Sequence, residues 1–211
     1  LDIPAATNMA YGYGTFMECT KLESAVITAT NLQAIGGVFA SCSALTNLVL
    51  DGSHLTVIGG TDGYGCFYNC SVLTNRAFAE FVHPTMESIA TRSFNGCGLT
   101  GAVDVTCGTI AHQTFSSCPN LTDLRVVCDT YVGSQYLSSG CNGMTSLYFK
   151  CASLRILPES FSWRCNKLKQ AVLDIPAVTN AAGFGTFMEC WALERAVITA
   201  TNLMAIGSAF H

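Results

Sequence analysis

Apolar positions along the chain recur in phrases rather than in continuous faces. The phrase F-x-x-C-x-x-L appears at Phe16-Cys19-Leu22, Phe39-Cys42-Leu45, Phe67-Cys70-Leu73, Phe115-Cys118-Leu121 and Phe187-Cys190-Leu193. Three further copies are offset by one residue: Phe94-Cys97-Leu99, Leu137-Cys141-Met144 and Phe161-Cys165-Leu168. Steps between the anchor cysteines are 23, 28, 27, 21, 23, 24 and 25 residues. After each anchor comes a short stretch of period two, with Ala25 and Ile27, Leu48 and Leu50, Leu124 and Val126, Leu147 and Phe149, Ala171 and Leu173, and Ala196 and Ile198 on one side. Strict alternation predicts a half-buried strand. The third copy fits poorly, with Arg76 at an apolar position, and the fourth fits with one inserted residue that turns Val103 and Val105 inward. A second apolar beat follows each strand: Leu32 with Ile35-Gly36, Leu55 with Ile58-Gly59, Met86 with Ile89, and Leu203 with Ile206-Gly207. Glycine after isoleucine suggests a tight corner.

A supersecondary unit repeated every twenty-odd residues cannot bury its apolar face alone, so copies must stack. The fold expected is a leucine-rich repeat solenoid of about eight repeats, each 21–28 residues long. A parallel β-sheet lines one face, with short turns and little helix on the other. Residues 1–211 are expected to form one such solenoid. The insertion Gly59–Gly65 should bulge from one corner. A longer period overlies the short one, since residues 1–39 nearly repeat as 173–210. The chain starts within one phrase and stops at Phe210-His211, just before the next expected cysteine. A longer native protein is therefore expected, cut through a repeat at both ends.

The I-P, I-G and F-x-x-C-x-x-L phrasing, carried by Ile3-Pro4, Ile175-Pro176, the anchors and the Ile-Gly corners, resembles BspA-like leucine-rich repeats over essentially the whole chain. The regular cysteine here precedes the strand, unlike the commoner leucine-rich pattern. The resemblance implies an extracellular or cell-surface location and an adhesin-like interaction role, with a protein or glycan on another cell or matrix as partner. It supplies no catalytic residues. A structural or assembly role, with neighbouring subunits as partners, is the alternative, motivated by a duplication that lengthens the object without diversifying it.

Composition narrows the choice. Only 11% of residues are charged and the formal net charge is −4. Without a basic footprint, nucleic acid is not an expected partner. No apolar run has the length of a membrane span, so membrane insertion is not expected in this stretch. The four histidines stand in no catalytic or ligand spacing, and no cofactor motif is present; Gly59–Gly65 lacks the Lys-Ser/Thr ending of a phosphate loop. The chain is expected to be non-catalytic. Asn69-Cys70-Ser71 and Asn120-Leu121-Thr122 match the N-glycosylation sequon.

Twelve cysteines demand an account. Cys19, Cys42, Cys70, Cys97, Cys118, Cys141, Cys165 and Cys190 form the anchor column, and Cys107, Cys128 and Cys151 a second column. Stacked positions lie about 4.8 Å apart, within disulfide reach, yet parallel side chains do not meet the required dihedral. A buried thiol ladder, a few adjacent disulfides and a metal site all stay open. Cys66-x-x-x-Cys70 is the one tight pair, no metal is expected there, and Cys66 is the expected exposed thiol. The outward strand positions form three columns. Their middle holds a mixed aromatic and charged patch, Asp104, Asp123, Arg125, Tyr148 and Lys150, which is the expected binding surface.

Overall fold

The computed structural model describes the chain except residues 11–13, 51–52, 60–63, 76–81, 84, 182–184, 206–209 and 211. Among the described residues it forms thirteen strands and almost no helix, and every strand pairing is parallel. The chain is a parallel β-solenoid of about eight turns. The poorly fitting third strand near Arg76 and the centre of the Gly59–Gly65 corner lie outside the described residues.

The strands fall into two ladders. The first carries the alternating segments: β2 (Ser24–Ile27) on β4 (Asn47–Leu50), then the first half of β7 (Gly101–Ala111) on β8 (Leu121–Val132), β9 (Ser146–Cys151), β11 (Gln170–Asp174) and β13 (Arg195–Thr199). Its register matches the repeat copy for copy. Val103, Leu124, Leu147, Ala171 and Ala196 align, as do Val105, Val126, Phe149, Leu173 and Ile198. All these side chains are buried except in the last turn, where Ala196 is exposed and Ile198 half-buried. The Val103 and Val105 placement by one inserted residue agrees with the structure.

The second ladder was not expected as a strand. The Ile-Gly beat pairs β1 (Asn8–Met9), β3 (Ala34–Ile35), β5 (Val57–Ile58) and β6 (Met86–Ile89) with the second half of β7, and β7 with β8. β10 (Ile156–Leu157) and β12 (Asn180–Ala181) continue it as a separate pair. Ile35, Ile58, Ile89 and Ile110 form one column, each fully buried. Elsewhere a short bend separates the ladders, as at Thr30-Asn31, Ser53-His54, Ala152-Ser153, Pro176-Ala177 and Thr201-Asn202. β7 and β8 run straight through both, because Cys107-Gly108-Thr109 and Cys128-Asp129-Thr130 stay extended. An extended residue advances about 3.3 Å, so a straight path spans the turn with fewer residues. The shortest anchor step, Cys97 to Cys118, contains β7. Glycine in the beat has two causes. Gly59 needs its φ of 108°, whereas at Gly36 a Cβ would sit 2.8 Å from the Ala10 backbone.

The F-x-x-C phrase forms an i→i+3 turn, with the cysteine N–H donating to the phenylalanine carbonyl (3.1 Å at Cys19, 3.0 Å at Cys42). The residue before each anchor cysteine is in the left-handed region: Glu18, Ser41, Asn69, Gly96, Ser117, Gly140, Arg164 and Glu189. Its N–H points along the axis; Ser117 N donates to Ser139 O at 2.8 Å and Gly140 N to Trp163 O at 2.7 Å. The backbone demand is thus periodic although the residue type is not.

Phenylalanine rings stack between turns, Phe16–Phe39–Phe67–Phe94–Phe115, with centroids 5.5, 5.9, 5.5 and 5.8 Å apart. Leu137 interrupts the stack. There Tyr131, which occupies the isoleucine column opposite Ile110, brings its ring against Phe149 and Phe161 and donates its hydroxyl to Gln135 O (2.7 Å) and Tyr136 O (3.0 Å). The two copies with an extra residue place Ser138 and Ser162 three positions before the cysteine. These hydroxyls are fully buried and bond to each other at 2.9 Å.

Candidate functional site

None of the twelve cysteines is in a disulfide. Each anchor thiol from Cys42 onward donates to the turn carbonyl of the preceding copy. Cys42 reaches Phe16 O at 2.9 Å, Cys70 Phe39 O at 3.0 Å, Cys97 Phe67 O at 3.0 Å, Cys118 Phe94 O at 3.1 Å and Cys141 Phe115 O at 2.9 Å. Cys165 and Cys190 reach Ser138 O and Ser162 O, at 3.1 and 2.9 Å. At Phe16, Phe39, Phe67 and Phe94 the carbonyl therefore accepts twice, from its own turn and from the next. Burial pushes the Cys42 thiol up to about 11 and Cys70 to about 12, so these two stay protonated and unreactive, whereas the hydrogen bond with Cys165 holds Cys190, at the far end of the column, below its ordinary range. The second column, Cys107, Cys128 and Cys151, is in register and buried; burial raises Cys107 to about 12. Cys128 is held well above the ordinary thiol range, first because it donates to Cys151 and then because it is buried.

Cys66 is not the exposed thiol. It is fully buried in the column just before the phenylalanine, where its carbonyl receives Phe39 N at 3.2 Å. The same position holds Val38, Ser93 and Thr114, all interior. The exposed thiol is Cys19, in the first turn. Among the described residues no three His, Cys, Asp or Glu side chains gather as a metal site would require. No helix among them is long and apolar enough to cross a membrane.

The outward columns expected on the first ladder are in register: Ala102, Asp123, Ser146, Gln170 and Arg195; Asp104, Arg125, Tyr148, Val172 and Val197; Thr106, Val127, Lys150, Asp174 and Thr199. Parallel pairing without slippage brings the patch together on three neighbouring strands. Arg125 Nη1 lies 2.9 Å from Asp104 Oδ1, and its guanidinium carbon sits 5.2 Å from the Tyr148 ring centre. Lys150 belongs to a different pair. Its Nζ meets Asp174 Oδ2 at 2.9 Å, and Asp174 holds the ammonium above its ordinary range. Asp123 accepts from the Thr122 hydroxyl at 2.7 Å. One pair has side chains 48% and 65% exposed, so these contacts add little stability. They leave an ordered strip of paired charge with one aromatic face. At its edge a 270 Å³ cavity joins Asp104, Thr106 and Arg125 to Val82 and His83. Histidine spacing in sequence carried no hint of that placement.

A second concave site lies on the turn face, where no candidate was expected. The position two before each anchor cysteine reads Met17, Ala40, Tyr68, Asn95, Ser116, Ser139, Trp163 and Met188. Two consecutive small residues open a gap there. The resulting cavity, about 380 Å³, is bounded by Asn95 and Trp163 and also lined by Gln113, Ser116, Tyr136 and Ser139. Trp163 is held in place: Nε1 donates to Glu189 Oε1 at 3.1 Å, Arg164 Nε donates to Glu189 Oε2 at 2.9 Å, and the Arg164 guanidinium lies 4.3 Å from the Trp163 ring. These donors hold the Glu189 carboxyl below its ordinary range, Trp163 contributing most. The small-small-aromatic break in this column was the available sequence signal, visible only once turn positions are aligned as strand positions are.

A parallel coil with stacked anchors, two strand ladders and an open outer surface defines a leucine-rich repeat solenoid. The BspA type leucine rich repeat region matches the chain in six copies, over residues 2–100, 39–169 and 87–211. The chain belongs to that family. No curated protein matches it by sequence. A leucine rich cell surface protein of Faecalibacterium prausnitzii A2-165, known from its crystal structure, is 15% identical, with 93% of this chain and 78% of that one covered and a TM-score of 0.30. That score is too low to carry an inference about this chain.

Proposed function

We propose that the chain is a non-catalytic interaction module displayed at a cell surface, which engages a protein partner on another cell or matrix through the strand-face strip. The observation that supports this reading is the in-register strip itself. Arg125 and Tyr148 are the residue types that anchor interfaces. Asp104 and Asp174 neutralise the strip's two cations, which favours a partner read by shape and aromatic contact over one captured by net charge. Replacing Arg125, Tyr148 and Lys150 together by alanine should weaken binding to plates coated with extracellular matrix protein by roughly ten-fold or more. The far-UV circular dichroism should not change. Unaltered binding of the folded triple variant sinks the assignment of this strip.

A structural reading has one observation of its own: the near-identity of residues 1–39 and 173–210. Under it the module is a spacer or a component of a larger assembly with neighbouring subunits. Concentration-dependent end-to-end association in sedimentation velocity would favour the spacer. A strictly monomeric chain that binds matrix protein favours the module.

A further inference from the structure

We infer that the turn-face cavity is a binding site for a neutral saccharide. It goes beyond the strand-face reading and uses none of its residues. Four observations carry it. The cavity exists because Ser116 and Ser139 remove side-chain volume from two adjacent turns, which opens a slot of about 10 Å along the axis at the strand spacing. Its volume, about 380 Å³, falls in the range of small-ligand sites, about 300–1,000 Å³. Ser116 lines the cavity at 5% exposure, and its hydroxyl oxygen, closed to solvent as the side chain stands, has no hydrogen-bond partner in the protein. A buried, unpaired hydroxyl is costly unless something supplies its partner. Tyr136 and Trp163 line the same space with ring centres 6.3 Å apart and planes tilted by 37°.

The chemistry on offer is aromatic surface beside uncharged donors and acceptors. Gln113 accepts from Arg92 Nε at 2.6 Å through its carbonyl oxygen, which fixes the amide and leaves its NH₂ group free of that bond. Ser139 is already committed, donating to Ser160 O at 2.8 Å and accepting from Trp163 N at 3.1 Å. It therefore shapes the slot without itself reading a ligand. The one cation among the described lining residues, Arg164, is paired with Glu189. A phosphate or carboxylate would have to compete with that carboxylate, while a sugar needs no counter-charge. Its C–H face suits an aromatic ring, and its hydroxyls suit Gln113 and Asn95. Trp163 is oriented before any ligand arrives, so little ordering remains to oppose binding.

The test is isothermal titration of the full chain with cellobiose, maltose, lactose and N,N′-diacetylchitobiose at millimolar concentration. At least one should bind. Trp163→Ala and Tyr136→Ala should each weaken it by roughly ten-fold or more, and Trp163→Phe, which keeps a ring, should retain part of the affinity. Should Trp163→Ala fail to fold, the Tyr136→Ala and Trp163→Phe variants carry the test. The strand-face triple variant should bind sugar normally, which separates failure of this site from failure of the strip. Absence of binding by all four sugars, or unchanged affinity in both aromatic variants, overturns the proposal. So does binding of glucuronic acid or inorganic phosphate in preference to every neutral sugar.

Discussion

Leu137 breaks the phenylalanine stack and Tyr131 breaks the isoleucine column one ladder away, and the two irregularities are expected to compensate. The repeat consensus would place Phe at 137 and Ile at 131. Leu137→Phe alone adds a ring to an interior where Leu137 and Tyr131 are already buried. Overpacking of this kind costs about 1–3 kcal/mol. Tyr131→Ile alone removes a ring packed against Phe149 and Phe161, and it removes the donor to Gln135 O and Tyr136 O. Ring loss and the lost hydroxyl bond together cost about 3–4 kcal/mol, with Tyr136 O still held by Gln113 N. If each residue fills the other's space, the double variant recovers the second ring and relieves the first. Its loss should then be smaller than the sum of the single losses by about 1–3 kcal/mol. Urea unfolding followed by near-UV circular dichroism measures all four corners of the cycle, with m-values compared to check that unfolding stays cooperative. Strict additivity would refute the compensation and make Leu137 an ordinary, independent substitution.

Three other outcomes follow from the same geometry. Gly140→Ala should cost about 1 kcal/mol, since the added Cβ meets nothing nearer than 3.6 Å and only the left-handed φ of 75° opposes it; urea midpoints check this. Cys118→Ala, which loses a buried thiol and its bond to Phe94 O, should cost about 2 kcal/mol, while Cys19→Ala at the exposed position should cost almost nothing. Trp163 emission, read in a Trp191→Phe background, should change as pH falls. Glu189 is depressed below its ordinary value of 4.5, so its hold on Trp163 is complete above that value and is lost as pH drops through the folded-state pKa. A flat acid titration would contradict the Trp163–Glu189 bond.

How much of this was legible in sequence differs by feature, for physical reasons. The first ladder was readable to the residue because alternation has period two, and one buried face punishes any slip in register. Asp104, Arg125 and Tyr148 could be placed side by side for that reason. The second ladder was not readable as strand: a two-residue pairing such as Ala34–Ile35 leaves too short a pattern to distinguish from a corner. The left-handed column hid for a different reason. Its demand falls on the backbone, and Glu18, Asn69 and Arg164 meet it at a modest cost that their identities do not advertise. Cys66 departs from the sequence expectation because a Gly-rich insertion next to it implies an exposed corner, whereas its own position belongs to the interior column of Val38 and Ser93. The turn-face cavity is not legible in sequence because a cavity is made by what is missing, and Ser116 and Ser139 stand out only beside Trp163.

The continuous strands β7 and β8 also have a mechanical meaning. Turns of a solenoid are joined along its axis by backbone bonds between neighbours, so tension applied at the two ends loads those joints in series and peels turns away one at a time. Most joints are interrupted midway by a turn, and each ladder can part separately. Between β7 and β8 the pairing runs from Gly101 to Ala111 with only local irregularity, and both ladders must part together. A chain stretched between two attachment points is expected to unravel toward that joint from either side and to halt there.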